Sequence, residues 1–313
     1  MIFTVTLGAV GVLLLLAAMG YLLFKSNILG EDAIKSFSKI LVYVCQPALA
    51  IYTFKSTEFS LQKLAEIGIF AALCVAINAI VLTSAYFIYR KKSKENPIYR
   101  IMTIATTMSN CAFFGIPIIE AILPDTSDDL IIFTTVFSLV MNIIGWTVGS
   151  AIISGDTKYI SVKKIFLNPA FLGFAAAMLL FVLEIPIDRA PTLFSALVAT
   201  AKMATPISMM VMGMRLSTMK LSELWGDVRV YLTIFIKQMV FPLIAFVMVW
   251  LLPVSSDVAR TFYIVCATPV ASVVLNYSEI VGVGEKEAAN TVLLGTMLSI
   301  ITLPVMMLLL PLL

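Results

Sequence analysis

An amide, a glycine and a proline lie in the middle of an apolar segment that extends from about residue 102 to residue 123. A segment of this length can cross a bilayer, but Pro117 has no N–H to donate to the carbonyl of Phe113, so the helix is expected to break there. Backbone groups that are freed inside a membrane must line an enclosed cavity or bind a ligand. Asn110 adds two N–H donors and one acceptor upstream of the break. These residues predict a binding site near the membrane midplane; the alternative is a proline kink in which Asn110 bonds to a neighbouring helix.

A second apolar segment, at about 261–281, combines the same residue types. Pro269 is followed by Ser272 and Asn276, again at mid-membrane depth. If the two broken helices cross, the ends of their half-helices meet at one point. The half-helix N-termini bring free N–H groups and partial positive charge, which suits an anion. We therefore predict that the site binds an anion.

Lys237 lies about ten residues inside its apolar segment, which places it about 15 Å deep at a rise of 1.5 Å per residue. A cation near the bilayer centre costs about 3 kcal/mol or more, so it is expected to face a polar cavity or a partner. There it would favour an anionic substrate, and it is our candidate for proton coupling. Alternatively, Lys237 bonds to nearby carbonyl groups. We assign possible coupling or ion binding to Asn78, Thr107, Gln238 and Thr268. The alternative is that these side chains form hydrogen bonds to a neighbouring helix or to their own helix.

The composition is that of a membrane protein, with 61% hydrophobic and 12% charged residues, whereas about a quarter of a soluble domain is charged. There is no histidine, and the four cysteines lack metal-ligand spacing, so we expect no cofactor beyond sodium or proton coupling. The apolar segments hold no pair of acids, and Ser208 and Lys202 fall on opposite faces of a helix, so we predict that the protein is not an enzyme. Basic residues are spread over short loops, which argues against a nucleic-acid partner and leaves the lipid bilayer as the surroundings.

The apolar pattern predicts ten membrane spans with short loops between them. The spans lie at about 3–24, 36–54, 66–89, 101–123, 130–153, 166–184, 192–213, 229–252, 261–281 and 288–311. Most loop lysines and arginines fall in one alternate set of loops, which identifies the cytoplasmic side. Both termini are then extracytoplasmic. We expect a multi-pass protein of the plasma membrane, which in a bacterium is the inner membrane.

The two halves of the chain repeat. A shift of about 160 residues aligns Asn78 with Gln238, and it aligns the first proline-containing segment with the second. Five spans in each half is an odd number, so the second half is inserted upside down. The predicted fold class is an all-α polytopic membrane protein with ten transmembrane helices, built from two inverted five-helix repeats (1–153 and 154–313) in which the broken fourth and ninth helices cross.

Motifs along the whole chain resemble those of the auxin efflux carrier family, in particular its bacterial members. They are N-x4-G-I-P at 110–117, K-K-x3-N-P at 163–169, G-M-R-L at 213–216, A-T-P at 267–269 and L-S-I-I-T-L-P at 298–304. The resemblance assigns Asn110, Gly115 and Pro117 to the crossover motif of the fourth helix, and Pro269 to the family proline of the ninth. Plant members have a second proline in that helix, where Val274 stands here. The candidate substrate-binding residues are Ser109, Asn110, Gly115, Pro117, Lys237, Pro269, Ser272 and Asn276.

The resemblance implies a fold like that of the bile acid/sodium symporters and an elevator type of alternating access. Helices at about 3–54 and 166–213 would form a scaffold that joins two copies into a homodimer, and helices at about 66–153 and 229–311 would form the moving transport domain. The implied function is secondary active transport of a small organic anion, such as a mono- or dicarboxylate, across the plasma membrane. The alternative is sodium-coupled uptake of an organic anion, with unwound carbonyl groups as ion ligands. A channel would more often show a ring of charge, so repeated broken helices favour a carrier.

Overall fold

The computed structural model describes residues 1–160, 162–219 and 227–313. Within these ranges every regular element is helical, and extended pairing occurs only at one isolated bridge. Short turns of helix connect the longer helices. The longer helices are α1 (Ile2–Lys25), α2 (Glu31–Lys55), α3 (Leu61–Tyr89), α4 (Ile98–Ala105), α5 (Cys111–Ile122), α6 (Ser127–Ser154), α7 (Pro169–Val182), α8 (Pro191–Thr218), α9 (Val228–Leu251), α10 (Ser256–Ala267), α11 (Val273–Val281) and α12 (Glu285–Leu312).

Seven helices in the described ranges are long and apolar enough to cross a membrane, namely α1, α2, α3, α6, α8, α9 and α12. They confirm an all-α, polytopic membrane protein. The predicted fourth span is divided between α4 and α5, and the predicted ninth between α10 and α11. The predicted sixth span contains α7, which has 14 residues. Ten crossings and an inverted repeat therefore stay predictions.

The first interruption of a membrane helix lies between α4 and α5. Helix α4 ends at Ala105, and residues 106–110 are not helical. The hydroxyls of Thr106 and Thr107 donate to carbonyl groups one turn earlier, at 2.8 and 3.1 Å. The first bond satisfies the carbonyl of Thr103 at the end of the helix, and the second adds to the backbone N–H groups of Thr107 and Met108 that already donate to the carbonyl of Ile104.

The prediction that this helix breaks at Pro117 is wrong, because Pro117 lies inside α5. A π-helical turn, Cys111–Gly115, ends two residues before the proline. The wider turn changes the backbone at the point where the proline ring would clash with an α-helical carbonyl. The same arrangement precedes Pro47 in α2 and Pro242 in α9. In this fold, a proline after a π-helical turn lets the helix continue.

The second interruption lies between α10 and α11, at residues 268–272. Thr268 adopts an extended conformation, and Pro269 follows it inside the break. Val274 is fully buried in the first turn of α11, where a valine N–H is compatible with the helix start. The break therefore lies at Pro269, and Val274 takes no part in it.

Close packing between helices depends on small residues. A Cβ atom at Gly213 of α8 would overlap the carbonyl oxygen of Ala17 in α1, and one at Gly20 of α1 would overlap the backbone of α8. Helix α7 packs against α2 in the same way, since a Cβ at Gly173 would lie 2.5 Å from the Cα of Pro47. Such close approach is typical of helices that associate in a membrane. The division into scaffold and transport helices stays a prediction.

Candidate functional site

The two interrupted helices meet at their breaks. The N–H of Asn110 donates to the carbonyl of Pro269 at 2.9 Å, and the N–H of Ala271 donates to the carbonyl of Met108 at 3.0 Å. The residues between them form an isolated antiparallel bridge. This pairing satisfies backbone groups that neither helix can satisfy in the buried interior. It also fixes the side chains of the first break beside those of the second.

A cavity of about 540 Å³ lies beside the paired breaks. It is lined by four of the predicted substrate-binding residues, which come from both interrupted segments. They are Ser109, Asn110, Ser272 and Asn276. Helices α2, α6 and α8 contribute further lining residues. The cavity is therefore the place where these four predicted residues come together.

Three hydrogen-bond donors of the cavity wall are buried and unsatisfied. They are the hydroxyl of Ser109, the side-chain N–H2 of Asn110 and the hydroxyl of Tyr277, whose residues are 3%, 4% and 1% exposed. None of the three has a hydrogen-bond partner within the described ranges. Buried polar groups are satisfied in the great majority of cases, so three exceptions in one cavity need an explanation. A ligand that carries acceptor oxygens would satisfy them.

Two helix N-termini also reach this cavity. The cavity is lined by Cys111 and Ala112 at the start of α5 and by Val273 at the start of α11. The first N–H groups of a helix have no partner within the helix, and they lie at the positive end of its dipole. These backbone N–H groups therefore favour a negatively charged ligand in the cavity, as the unsatisfied side-chain donors also do.

The charged side chains of the cavity lie at its edge. Lys35 and Lys39 are exposed on α2, and Arg215 of α8 forms an ion pair with Glu279 of α11 at 2.5 Å. Three cations and one carboxylate give this edge a positive balance. Sequence reasoning did not identify these four as site residues, although Arg215 belongs to the G-M-R-L motif and Lys35 and Lys39 have the spacing of one helix face.

Tyr277 is another site residue that sequence reasoning missed. The tyrosine ring packs directly against Gly145, where a Cβ atom would overlap the ring. The ring of Trp146 meets the tyrosine ring edge-on, with the two centroids 5.0 Å apart. These contacts fix the ring, so the unsatisfied hydroxyl is held in place. The sequence offered one weak signal, which is that Tyr277 directly follows the predicted residue Asn276.

Lys237 lies behind the paired breaks, outside the cavity lining. Its side chain is fully buried and donates to the carbonyls of Cys266 and Thr268, at 2.8 and 2.9 Å. Its ammonium group also lies 4.7 Å from the ring centroid of Phe241. Of the two interpretations made from the sequence, these contacts match the one in which the lysine bonds to carbonyl groups.

Gly115, Pro117 and Pro269 do not line the cavity either. A Cβ atom at Gly115 would touch Thr268 and Val265 at 3.6 Å, so this glycine packs against the second interrupted segment. Pro269 contributes its carbonyl to the pairing of the breaks. Gly115 and Pro269 therefore help to hold the two interrupted segments together.

The residues predicted for ion binding also lie outside the cavity lining. Thr107 and Thr268 donate their hydroxyls to carbonyls of their own segments. Gln238 of α9 donates to the carbonyl of Gly295 in α12 at 2.6 Å, which is a helix–helix hydrogen bond. Asn78 donates to a carbonyl of its own helix at 2.7 Å. Within the described ranges, no group of three or more acids or cysteines has the arrangement of a metal site.

The fold and the cavity define a multi-pass α-helical membrane protein with a polar cavity where interrupted helices meet. Residues 5–307, nearly the whole chain, match the membrane transport protein family, and the chain belongs to this family. The resemblance to auxin efflux carriers is thereby confirmed. Transport, and not catalysis, is the activity of the family.

A similar relative is described as an uncharacterized transporter of Methanothermobacter thermautotrophicus. The two chains are 22% identical over 214 residues, which cover 65% of this chain and 66% of the relative. The chain thus matches slightly less than two thirds of the relative's length.

Proposed function

We propose that this protein is a secondary active transporter of a small organic anion, such as a mono- or dicarboxylate. The observation that carries the proposal is the set of unsatisfied donors on Ser109, Asn110 and Tyr277 in one cavity. A carboxylate offers two acceptor oxygens with about four lone-pair sites, so one group can accept from several donors. Hydrogen bonds to a charged acceptor are also about twice as strong as those between neutral groups.

The charge around the cavity supports an anion over a neutral ligand. Helix dipoles at the starts of α5 and α11 add partial positive charge inside it, and Lys35, Lys39 and Arg215 add full charges at its edge. A cavity lined by one sign of charge raises the local concentration of the opposite ion. The same features would repel sodium or potassium from the cavity.

The proposed transport mechanism is an elevator type of alternating access. We propose ten membrane crossings in two inverted repeats, with the interrupted helices crossing where their backbones pair. Helices at about 66–153 and 229–311 would then carry the anion past a scaffold at about 3–54 and 166–213, which would also form a homodimer. Support for this division comes from the close packing of α1 on α8 and of α2 on α7, which are all in the proposed scaffold.

The proposed setting is the plasma membrane, with both termini extracytoplasmic. The edge of the cavity carries Lys35, Lys39 and Arg215, which lie near the ends of α2 and α8, next to the loops rich in basic residues. Such loops lie on the cytoplasmic side of a membrane. The cavity therefore faces the cytoplasm in the proposed orientation.

Ligand binding to purified protein tests the proposal. Asn110→Ala removes an unsatisfied donor and should lower the affinity for the best ligand of a carboxylate panel by at least about ten-fold, which corresponds to about 1.4 kcal/mol. The matched control is Gln62→Ala, which removes an exposed amide on α3 outside the cavity. Thermal shift measures both variants, because a ligand that binds the folded state raises its melting temperature.

Wild-type affinity in the Asn110→Ala variant would contradict the placement of the site. The same panel, measured with and without sodium, separates the two transport hypotheses. Stabilisation by an anion without sodium supports the proposed function, and stabilisation that requires sodium supports sodium-coupled uptake.

A further inference from the structure

Lys237 has a fully buried amino group and does not line the anion cavity. Its ammonium group bonds to the carbonyls of Cys266 and Thr268 and lies over the ring of Phe241. Within the described ranges, no carboxylate forms an ion pair with it. The partners of this cation are therefore backbone carbonyl oxygens and an aromatic face.

These carbonyls belong to the end of α10 and to the break that follows it. The last carbonyls of a helix have no partner within the helix, and they lie at the negative end of its dipole. In transporters with interrupted helices, such helix ends and unwound carbonyls coordinate the coupling cation. In this protein a side chain already occupies that position.

We propose that Lys237 is a built-in cation that replaces a coupling sodium ion at the break after α10. This inference rests on the proposed function, because the lysine would supply the positive charge that balances the charge of the bound anion. The ammonium bonds to the first residue of the break, Thr268, whereas the last residue of the break, Ser272, lines the cavity. A fixed positive charge thus lies behind the short stretch that carries the anion site, where it favours the bound anion without any ion from solution.

The predicted repeat indicates that one such cation serves both breaks. The shift of about 160 residues that aligns Asn78 with Gln238 aligns Ile77 with Lys237. Ile77 is fully buried and apolar, so within the described ranges this position brings no corresponding charge to the first break. The end of α4 relies instead on the hydroxyls of Thr106 and Thr107.

The first test uses the wild-type protein and the best carboxylate ligand of the panel. Its dissociation constant is measured by calorimetry in sodium chloride and in choline chloride at equal ionic strength. We expect values that agree within about two-fold. An affinity at least about ten-fold higher in sodium would overturn the proposal, because the built-in charge would then not replace the ion.

The second test removes the charge while it keeps most of the side-chain volume. Lys237→Met should bind the anion at least about ten-fold more weakly in choline, and sodium should restore most of the affinity. Sodium should also raise the melting temperature of this variant and leave that of the wild type unchanged. The matched control is Lys202→Met, which removes an exposed lysine of α8 and should give no sodium effect.

Wild-type affinity of Lys237→Met in choline would refute the role of the charge. The melting temperatures remain informative if no carboxylate binds to any variant, so failure of the proposed function is distinguishable from failure of this inference. A sodium effect confined to Lys237→Met supports the built-in cation even then. If that variant does not fold, the anion affinity of the wild type decides. An affinity that does not depend on sodium supports the inference, and an affinity that depends on sodium overturns it.

Discussion

The hydroxyl of Tyr277 is buried and has no hydrogen-bond partner within the described ranges. A buried group in this state costs about 1–3 kcal/mol, so its removal should stabilise the ligand-free protein. Tyr277→Phe should therefore raise the free energy of unfolding by about 1 kcal/mol and lower the anion affinity by about ten-fold. Thermal unfolding and calorimetry, carried out on the same preparation, measure the two effects.

Tyr263→Phe is the matched control for this prediction. Its hydroxyl is also buried, but it donates to the carbonyl of Met306 at 2.6 Å, and neither residue lines the cavity. Removal of this bond should destabilise the protein by about 1–2 kcal/mol and leave the anion affinity unchanged. If Tyr277→Phe behaved in the same way, its hydroxyl would be structural and not part of the anion site.

The sequence predicted part of this site at the residue scale. Ser109, Asn110, Ser272 and Asn276 stand out because polar side chains near a proline are rare in apolar segments. Tyr277 does not stand out, because a tyrosine in a membrane helix is ordinary until its hydroxyl proves to be unsatisfied. The difference lies in hydrogen-bond partners, which depend on packing between distant segments.

At the scale of the element, the interruptions follow from prolines and amides, but their positions do not. Pro269 lies inside the second break, whereas Pro117 lies inside α5 after a π-helical turn. Both prolines lack the N–H of a regular helix, so local chemistry is the same in both cases. The first break instead lies where the backbone of Asn110 pairs with Pro269, a contact between residues far apart in the sequence.

The packing of α1 on α8 gives a prediction for a whole element. Gly213→Ala places a methyl group against the carbonyl oxygen of Ala17, which belongs to rigid helix backbone. The helices must separate, so we expect the free energy of unfolding to fall by about 2–3 kcal/mol. Thermal unfolding in detergent measures this loss.

Gly8→Ala and Gly11→Ala in α1 are the matched controls. A Cβ at either position meets no atom within 4 Å in the described structure. Alanine is also the better helix former by about 1 kcal/mol, so both variants should be neutral or stabilised. Equal stability of all three variants would contradict the close packing of α1 on α8.

At the scale of the whole molecule, the orientation of the cavity can be tested with cysteine labelling. The four native cysteines are buried, and the wild-type protein serves as the blank for Cys111, which lines the cavity, so the additional labelling reports the new accessible thiol. Ala271→Cys places it on the cavity wall, where only the backbone N–H of Ala271 is used in the pairing of the breaks. In the proposed orientation, a membrane-impermeant thiol reagent should reach this residue from the cytoplasmic face.

Inverted vesicles expose that face, and intact cells expose the opposite one. Ala271→Cys should react at least about ten-fold faster in inverted vesicles, because reaction follows the exposure of the thiol. Leu61→Cys is the control, since Leu61 is 78% exposed at the start of α3, on the predicted extracytoplasmic side. It should show the opposite preference. Faster labelling of Ala271→Cys from outside, with Leu61→Cys unchanged, would mean that the cavity opens outward; reversal of both would mean that the predicted topology is inverted.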